Sequence, residues 1–269
     1  MKGATETCMS RSTSTPDHEI RRAMRVFPLL FAVAIAGVLS YDAHGQPRAG
    51  ESAYDGRVTF VRLRWGSDLG GFRRGGGAAW NHDYPRAESH LARILKELTS
   101  IDMRTEGSLI LSLDDPELLK YPIAFMWEPG FWNLTDREAL AFRTYLVKGG
   151  FAVFEDFDGA AQWNHFEQQM RRVLPDARWV RLDGSHHIFD NFFRVKDPYG
   201  IVHPMVGIAP SYLAIFENND PSRRLIAVAN FDNDIPEYWE WSGQGYYPVD
   251  TSNEAYKLGV NYMIYGLTH

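Results

Sequence analysis

The pattern of apolar and polar positions is most distinctive near the middle of the chain. Residues 151–154 form an unbroken apolar run, and a strand without alternation is typical of a parallel sheet with both faces covered. Gly149 and Gly150 precede the run and favour the left-handed end of a helix. Glu155-Asp156-Phe157-Asp158-Gly159 follows the run, so three carboxyl groups are predicted at the carboxyl end of a buried strand.

Strands and helices alternate on both sides of this run. The patterns predict strands over residues 58–65, 108–111 and 123–127, and helices from Asp83-Tyr84-Pro85, after Thr135 and over residues 163–174. Thr135 and Glu138 have the spacing of a capping box, which marks the start of the second of these helices. This order of elements predicts βαβ units, right-handed crossovers and a mostly parallel α/β sheet.

The pattern changes after Pro175. We expect short strands over residues 178–182, 213–216 and 225–229, a hairpin over 193–202, an aromatic loop over 238–247 and a last helix over 252–266. The hairpin prediction depends on Asp197-Pro198-Tyr199-Gly200, which has the composition of a turn. The aromatic loop has two interpretations, since its rings either stack on a sugar or close the end of the sheet.

The first 45 residues have the features of a secretory signal. Three arginines precede an apolar segment at residues 26–39, and Ala43 and Gly45 then put small side chains before Gln46. Segments with this order of basic, apolar and small residues are removed on export. We therefore expect a periplasmic or secreted protein with a signal peptide at residues 1–45, a flexible lead-in at 46–57 and a single α/β domain at 58–269. An uncleaved membrane anchor is the alternative interpretation of the first segment.

The single cysteine, Cys8, lies in the predicted signal. The exported protein is therefore expected to have no disulfide bond and no thiol nucleophile. Removal of the signal changes the formal charge from −6 to −7, because it takes away five basic and four acidic side chains. A mildly acidic chain without a basic block is a poor candidate for a nucleic-acid partner. Contact with a membrane is expected only if the signal is uncleaved.

Glycine and arginine dominate residues 66–79. Their spacing matches neither a phosphate-binding loop nor a dinucleotide-binding fingerprint, and the sequence predicts no cofactor. Two interpretations of this segment stay open: a flexible surface loop, and a mobile lid over a site.

Polar side chains follow several predicted strands, at the edge where open α/β sheets place their ligands. The predicted site residues are Glu128, Asp156, Asp158, His186, Asn233 and Asp234, with Trp239 and Glu240 at the rim. Such side chains suit a ligand-binding pocket, a hard cation bound through oxygen or acid and base catalysis on a glycosidic bond. They are equally common as helix caps, and no metal site is assigned to them.

The histidines give this site little support. His186 and His187 are adjacent and cannot chelate one ion as an i, i+4 helical pair does, so a loop histidine bonded to the backbone is expected. The isolated histidines are expected at the surface or in turns: His82, His90, His165 and His203.

Several segments together resemble the bacterial domain-of-unknown-function family 4159: YPRAESHL, SLDDPELLKYP, LTDREALAFRTYLVKGGFAVFEDFDG, HIFDNFF, the Asn233-Asp234 pair and EAYKLGVNYMIYGLT. The similarity covers nearly all of residues 58–268. It implies a flavodoxin-like three-layer sandwich similar to class I glutamine amidotransferases and their trehalose-utilisation-protein relatives. The family has no established activity. Relatives that carry the domain behind membrane-anchored modules, in operons with chaperone-like ATPases, imply work in assembly of the cell envelope.

The sequence departs from the amidotransferases at their nucleophile. The turn comparable to the one that carries their cysteine is Glu155-Asp156-Phe157-Asp158-Gly159, which has neither a cysteine nor a serine in an elbow pattern. Cysteine-dependent amidotransferase activity is therefore excluded for the exported chain. The family pattern Asp-His-Pro-Ile-Phe is replaced by Ser185-His186-His187-Ile188-Phe189, so no family role of that loop is carried over.

We expect an exported domain that binds a small polar ligand or an envelope protein partner without covalent catalysis. The alternative is a hydrolase of glycans or other polar substrates, with Asp156 or Glu128 as base and His186 as acid. A hydrolase requires two titratable groups at one concave spot with a displaced pKa, whereas a binding module requires an aromatic pocket. A scaffold with a filled crevice and a flat apolar patch is the third hypothesis.

Overall fold

A seven-stranded sheet lies at the centre of the computed structural model, which describes residues 55–66 and 78–269. The strands are β1 (Val61–Arg64), β2 (Leu109–Ser112), β3 (Ile123–Trp127), β4 (Phe151–Phe157), β5 (Val180–Arg181), β6 (Ser211–Phe216) and β7 (Leu225–Phe231). Their order across the sheet is β2-β1-β3-β4-β7-β6-β5. The apolar run at residues 151–154 therefore lies in the central strand, where its neighbours cover it on both edges.

The sheet is mostly parallel. Strands β2, β1, β3, β4 and β7 pair in parallel, whereas β6 runs antiparallel to β7 and β5 runs antiparallel to β6. The carboxyl ends of β1, β3, β4 and β7 therefore meet at one edge of the sheet. The predicted α/β class with a mostly parallel sheet is confirmed, and the architecture is consistent with a flavodoxin-like three-layer sandwich.

Helices cover both faces of the sheet. They are α1 (Arg86–Leu98), α2 (Asp136–Val147), α3 (Gly159–Val173), α4 (Ile235–Glu240) and α5 (Val249–Thr268). Helices α1, α4 and α5 contribute to one buried apolar cluster, and α2 and α3 contribute to a second. None of the helices among the described residues is both long and apolar enough to cross a membrane.

The central strand shows why the sequence folds into three layers. Phe151 and Val153 belong to the cluster under α1 and α5, whereas Ala152 and Phe154 belong to the cluster under α2 and α3. Full burial of one such side chain stabilises the fold by about 1.5–3 kcal/mol. Because both faces of this strand are buried, apolar residues occupy successive positions instead of alternating with polar ones.

Local signals place the helices against the sheet. The predicted capping box is present at α2, where Thr135 and Glu138 satisfy each other's backbone amides. Gly149 ends the helix with φ of 118°. In α5, a Cβ atom at Gly259 would lie 2.6 Å from the Trp239 ring, so glycine is required there for the helix to approach α4.

Three predicted elements differ from the structure. The predicted hairpin at residues 193–202 is a loop with a 3-10 turn at Pro198–Gly200, where the Asp197 side chain accepts a hydrogen bond from the Tyr199 amide. The first part of the predicted aromatic loop, residues 238–240, belongs to α4, a helix that Asp234 caps and that has Pro236 in its first turn. Strand β4 continues through the acidic residues to Phe157, since the Glu155 carbonyl accepts a ladder hydrogen bond from the Glu128 amide.

Three predicted segments fall wholly or mainly outside the described residues. They are the signal peptide at residues 1–45, most of the lead-in at 46–57 and most of the glycine-rich segment at 66–79.

Candidate functional site

A cavity of about 490 Å³ opens at the carboxyl edge of the parallel strands. The described part of its lining contains five carboxyl side chains and two imidazoles, and none of the lining residues described is a lysine or arginine. The lining residues are His82, Glu128, Phe131, Asp156, Phe157, Asp158, Gln162, His203, Met205, Val206, Asp234 and Glu237. Four predicted site residues, Glu128, Asp156, Asp158 and Asp234, are therefore brought together.

Three of the acids near this cavity sit on unusual backbone. Asp83, Glu128 and Asp156 have φ angles of 61°, 48° and 59°, all in the left-handed region. Such a conformation costs a residue with a side chain roughly 1–3 kcal/mol and is common at functional sites. At Asp156 it coincides with the shift of register between β4 and β7, which turns this carboxyl group towards the cavity although its neighbours stay in the sheet.

His82 lies opposite these strand ends, in the turn between the 3-10 segment Ala79–Asn81 and α1. Its Nδ1 atom is 2.6 Å from Oδ2 of Asp156 and 3.8 Å from Oε1 of Glu128. Its Nε2 atom is 3.2 Å from Oδ1 of Asp83. The imidazole ring therefore lies between carboxyl groups on both of its nitrogen-bearing sides.

Asp83 is buried behind His82. The indole N–H of Trp127 donates a hydrogen bond of 2.9 Å to its Oδ2 atom. Burial raises the pKa of Asp83 to about 8, against the opposing effect of His82, and the nearby Asp156 raises it further. A raised pKa of this kind, caused by burial beside other acids, is a common property of functional-site residues.

A buried ion pair supports the segment that carries His82. Both carboxylate oxygens of Glu88 accept hydrogen bonds of 2.8 Å from Nε and Nη2 of Arg62. The remaining nitrogen, Nη1, donates to the backbone carbonyls of Trp80 and His82 at 3.0 and 2.7 Å. The guanidinium carbon lies 3.5 Å from the centre of the Trp127 ring. Strand β1 thus fixes the position of His82 through one side chain.

Asp234 follows β7 and begins α4. Its Oδ1 atom accepts a hydrogen bond of 3.2 Å from the Glu237 amide, as expected of a helix N-cap. Burial raises its pKa well above the usual value, and the negative charges of Asp156, Asp83 and Glu237 raise it further. The same side chain therefore caps a helix and adds to the acidity of the cavity.

Two sets of these side chains have the spacing of metal ligands. One consists of His82, Asp156 and Asp234, and the other of His82, Asp83 and Glu237. Within each set, one nitrogen or oxygen from each residue lies within 4.8 Å of the others. No metal site was predicted from the sequence, and His82 was expected at the surface or in a turn. His82 does lie in a turn, but the turn faces the strand ends.

Three other predicted site residues, Asn233, Trp239 and His186, lie away from the cavity, whereas Glu240 stays beside it. Asn233 is fully buried, and its side chain donates to the Ile201 carbonyl instead of facing the cavity. Glu240 lies beside the site, 3.9 Å from Arg86, and burial raises its pKa. Trp239 was expected at the rim but is fully buried against Gly259 in α5. The prediction of an exposed loop was wrong for Trp239, because burial of a large aromatic ring is strongly favourable.

The expected contribution of His186 to the site is wrong. Its ring contacts that of Phe216 at 5.9 Å between centres, and Phe216 pairs with Leu225 at the start of β7. His186 therefore lies at the opposite edge of the sheet from the cavity. Its Nδ1 atom accepts a hydrogen bond from the Ile188 amide, which is the backbone-bonded role that the sequence favoured for a loop histidine.

Glu155 occupies a separate polar position beneath the cavity. It is fully buried, and burial raises its pKa well above the usual value. Its Oε1 atom accepts a hydrogen bond from the Asn230 amide group, whose oxygen in turn accepts one of 2.6 Å from the Tyr262 hydroxyl. This chain of hydrogen bonds ties β4, β7 and α5 together within the core.

Sequence reasoning missed His82, Asp83, His203 and Glu237 as site residues. The pair His82-Asp83 precedes α1 on the path that leaves the carboxyl end of β1, so its position in the βα connection was a usable signal. Glu237 follows Asp234 by three residues in the first turn of α4. No comparable signal marks His203, which reaches the cavity from the long segment before β6.

Comparison with known proteins gives a family but no activity. The family described as "Domain of unknown function (DUF4159)" matches residues 59–267. No curated protein shows significant similarity to the chain.

Proposed function

The chain belongs to the domain-of-unknown-function family DUF4159, and we propose that its domain binds a small, positively charged polar ligand at the carboxyl edge of the sheet. Binding is non-covalent, in keeping with the absence of a cysteine from residues 9–269. The observation that carries this proposal is the concentration of acidic side chains around one cavity, in which the described lining has five carboxyl groups and two imidazoles.

The acids act as a group because several of them are buried. Glu128, Asp156 and Asp234 are each at most 6% exposed, so water screens their charges less than it screens surface charges. A cavity lined by one sign of charge raises the local concentration of ligands of the opposite sign. An ammonium group or a metal cation fits this environment, whereas an isolated phosphate or carboxylate is repelled by it.

The mouth of the cavity suggests the rest of the ligand. Phe131, Met205 and Val206 are lining residues with large exposed apolar surfaces. Apolar contacts of this kind suit the carbon skeleton of an amine or the apolar face of a sugar ring. We therefore propose a ligand with a cationic head group in the acidic part of the cavity and a less polar body at its mouth.

A thermal-shift screen of the purified full-length chain tests this proposal. Spermidine and glucosamine serve as organic cations, Zn²⁺ as a metal cation, and glucose and glucose 6-phosphate as neutral and anionic comparators. We expect cations to raise the melting temperature and the anion to have no effect. A ligand present at 100 times its Kd adds about 2.7 kcal/mol to the free energy of unfolding.

Variants identify the site. Asp156→Asn and Asp234→Asn should each weaken cation binding, whereas Glu167→Gln on the outer surface of α3 should leave it unchanged. The proposal is rejected if no cation binds, or if the shift persists in both pocket variants.

A second function, hydrolysis of a polar substrate, is favoured by one specific contact. His82 Nδ1 and Asp156 Oδ2 are 2.6 Å apart at the wall of the cavity. An imidazole oriented by a carboxylate is a common arrangement for a general base that activates water. In this hypothesis His82 replaces His186, which the sequence analysis proposed as the acid, because His186 lies at the other edge of the sheet.

An activity screen separates hydrolysis from binding. Chromogenic glycosides, esters and peptides are incubated with the purified protein and with His82→Gln. Hydrolysis requires turnover by the wild type that the variant reduces by about 10²-fold or more, as expected for loss of a general acid or base. Binding without turnover eliminates the hydrolase and leaves the primary proposal in place.

Export and envelope work are also part of the proposed function. They are supported by the arginines, the apolar segment at residues 26–39 and the small residues before Gln46. The resemblance to amidotransferases supports a shared ancestry of fold with those enzymes, without their thiol chemistry. Fractionation of cells that express the chain, with mass determination of the mature amino terminus, tests the export proposal.

A further inference from the structure

The geometry points to a metal centre within the cavity: we propose that His82, Asp156 and Asp234 bind one divalent transition-metal ion. This inference rests on the proposed cation-binding function and identifies the cation. One donor atom from each of the three residues lies within 4.8 Å of the others. Two Zn²⁺ bonds of about 2.0–2.2 Å hold their ligand atoms at most about 4.4 Å apart. Small side-chain rotations are therefore sufficient to form the centre.

The chemistry of the three donors selects the type of metal. Ca²⁺ and Mg²⁺ prefer sites made of oxygen alone, whereas an imidazole nitrogen suits Zn²⁺ and other transition metals. A set with one imidazole and two carboxylates should therefore bind Zn²⁺ more tightly than Mg²⁺ or Ca²⁺. Because all three residues line the cavity, a water molecule or a ligand atom within it can complete the coordination shell.

The far side of the His82 ring supplies an independent observation. Its Nε2 atom lies 3.2 Å from Oδ1 of Asp83. That oxygen is buried and makes no hydrogen bond of standard geometry with the residues that the structure describes, although the Glu240 carboxyl group also interacts with Asp83. Histidines that bind metals usually donate their other N–H group to a carboxylate, which fixes the tautomer and the ring orientation. Asp83 is placed to accept a hydrogen bond from the Nε2–H group while Nδ1 binds the metal.

Buried side chains hold both members of this pair in place. Arg62 donates to the His82 carbonyl at 2.7 Å, and the Trp127 indole donates to Asp83 at 2.9 Å. Arg62 and Trp127 are both fully buried. Metal sites require such support because ligands must be held in the binding geometry before the ion arrives. His82 is thus a proposed metal ligand, and Asp83 is a positioning residue that acts through it.

Isothermal titration of the EDTA-treated and dialysed full-length chain with Zn²⁺, Mg²⁺ and Ca²⁺ tests the inference. We expect one Zn²⁺ per chain and at least tenfold weaker binding of the other two ions. His82→Gln should lower the Zn²⁺ affinity by about 100-fold or more, and Asp83→Asn by about 10–100-fold, the usual effect of removing a group that orients a ligand. His187→Gln is the matched control, because His187 is exposed, does not line the cavity and belongs to neither set.

A spectroscopic measurement separates direct ligation from a structural effect. Co²⁺ added to the wild type should give visible absorption bands whose position changes in His82→Gln and is preserved in His187→Gln. Circular dichroism checks that each variant is folded. If His82→Gln does not fold, Asp234→Asn decides the matter by the same titration, because asparagine keeps the helix cap while removing a charged ligand.

The outcomes distinguish this inference from the broader proposal. Absence of stoichiometric Zn²⁺ binding, or equal binding by wild type and His82→Gln, overturns the metal centre. Binding of spermidine in the presence of EDTA, with no Zn²⁺ binding, overturns the metal centre alone and leaves the cation-binding function in place. Failure of every cation to bind rejects both.

Discussion

Two buried carboxyl groups in this molecule have opposite surroundings. Glu88 in α1 has both oxygens hydrogen-bonded to the guanidinium group of Arg62. Asp234 at the start of α4 accepts a hydrogen bond from a backbone amide, and burial, followed by the charges of neighbouring carboxyl groups, raises its pKa. The comparison separates a charge that holds the fold from charges that form a pocket. The negative charge of Glu88 is neutralised by Arg62, whereas the acids of the cavity lie close to one another.

The two regions are connected through one side chain. Arg62 pairs with Glu88 and also donates to the carbonyl of His82. Damage to the compensated pair should therefore reach the cavity, whereas removal of an acid from the cavity should leave the pair intact. The following predictions test this asymmetry, beginning with the largest expected effect.

Loss of Glu88 should have the largest effect on stability. Glu88→Ala leaves the Arg62 charge buried without its carboxylate partner, and breaking a buried pair in this way costs about 3–5 kcal/mol. Urea denaturation measures the change in the free energy of unfolding. Glu97→Ala, at an exposed position of the same helix, should change it by less than about 0.5 kcal/mol. A similarly small change in Glu88→Ala would contradict a structural role of the pair.

Replacement of both partners should recover part of that loss. Arg62→Met combined with Glu88→Leu leaves no buried charge, and such replacements are often tolerated. The carbonyls of Trp80 and His82 lose their donor, so we expect the double variant to remain about 1–3 kcal/mol less stable than the wild type. Its cation affinity should fall as well, because His82 is no longer held. Full stability with unchanged affinity would show that the two regions are independent.

Removal of an acid from the cavity should increase the free energy of unfolding, whereas loss of Glu88 should decrease it. Asp234→Asn keeps the helix cap and removes a buried charge from among its like neighbours. We expect a gain of about 0.5–2 kcal/mol, as is usual when a functional site is relieved of an unfavourable group, together with weaker cation binding. Thermal and urea denaturation in EDTA measure the gain. Asp158→Asn is the comparison variant, because that half-exposed acid should give a smaller gain.

The smallest effect is expected at an exposed carboxyl group. Hydrogen bonds from Arg57, followed by those from Arg104, lower the pKa of Asp55 to about 2. A lowered pKa contributes stability that is present above the usual value of 3.8 and is lost as the pH falls towards 2. Asp55→Asn should therefore reduce the loss of melting temperature across this interval at low salt. Asp102→Asn is the control variant. If the melting temperature of Asp55→Asn depends on pH in the same way as that of the wild type and of Asp102→Asn, the hydrogen bonds of Asp55 contribute no stability.

The sequence predicted the elements whose signals are local. The all-apolar residues 151–154 indicated a central strand, and the pattern of Thr135 and Glu138 indicated the start of α2. Acids at the ends of parallel strands were expected to meet, since the topology brings these ends to one edge. Glu128, Asp156, Asp158 and Asp234 do line one cavity.

The remaining site residues depend on contacts that have no local signal. The local sequence around His82 indicates only a turn. Its place in the site depends on tertiary contacts with Arg62 and with the strand ends. His186 follows a strand in sequence, but its loop returns to the opposite edge, so its distance from the cavity is a property of the path of the chain. Trp239 has the composition of an exposed aromatic loop, and its burial depends on the approach of Gly259 in a later helix.

The walls of the cavity come from segments that are far apart along the chain, from His82 before α1 to Glu237 in α4. None of these segments can form the binding surface alone, so occupancy requires the docked sheet and both flanking layers. A saturating ligand should therefore slow amide hydrogen exchange in β3, β4 and β7 to a similar degree, even at positions remote from the ligand. The pattern of exchange protection would then show which elements unfold together. A fragment that ends before β7 should have no measurable affinity for the ligand.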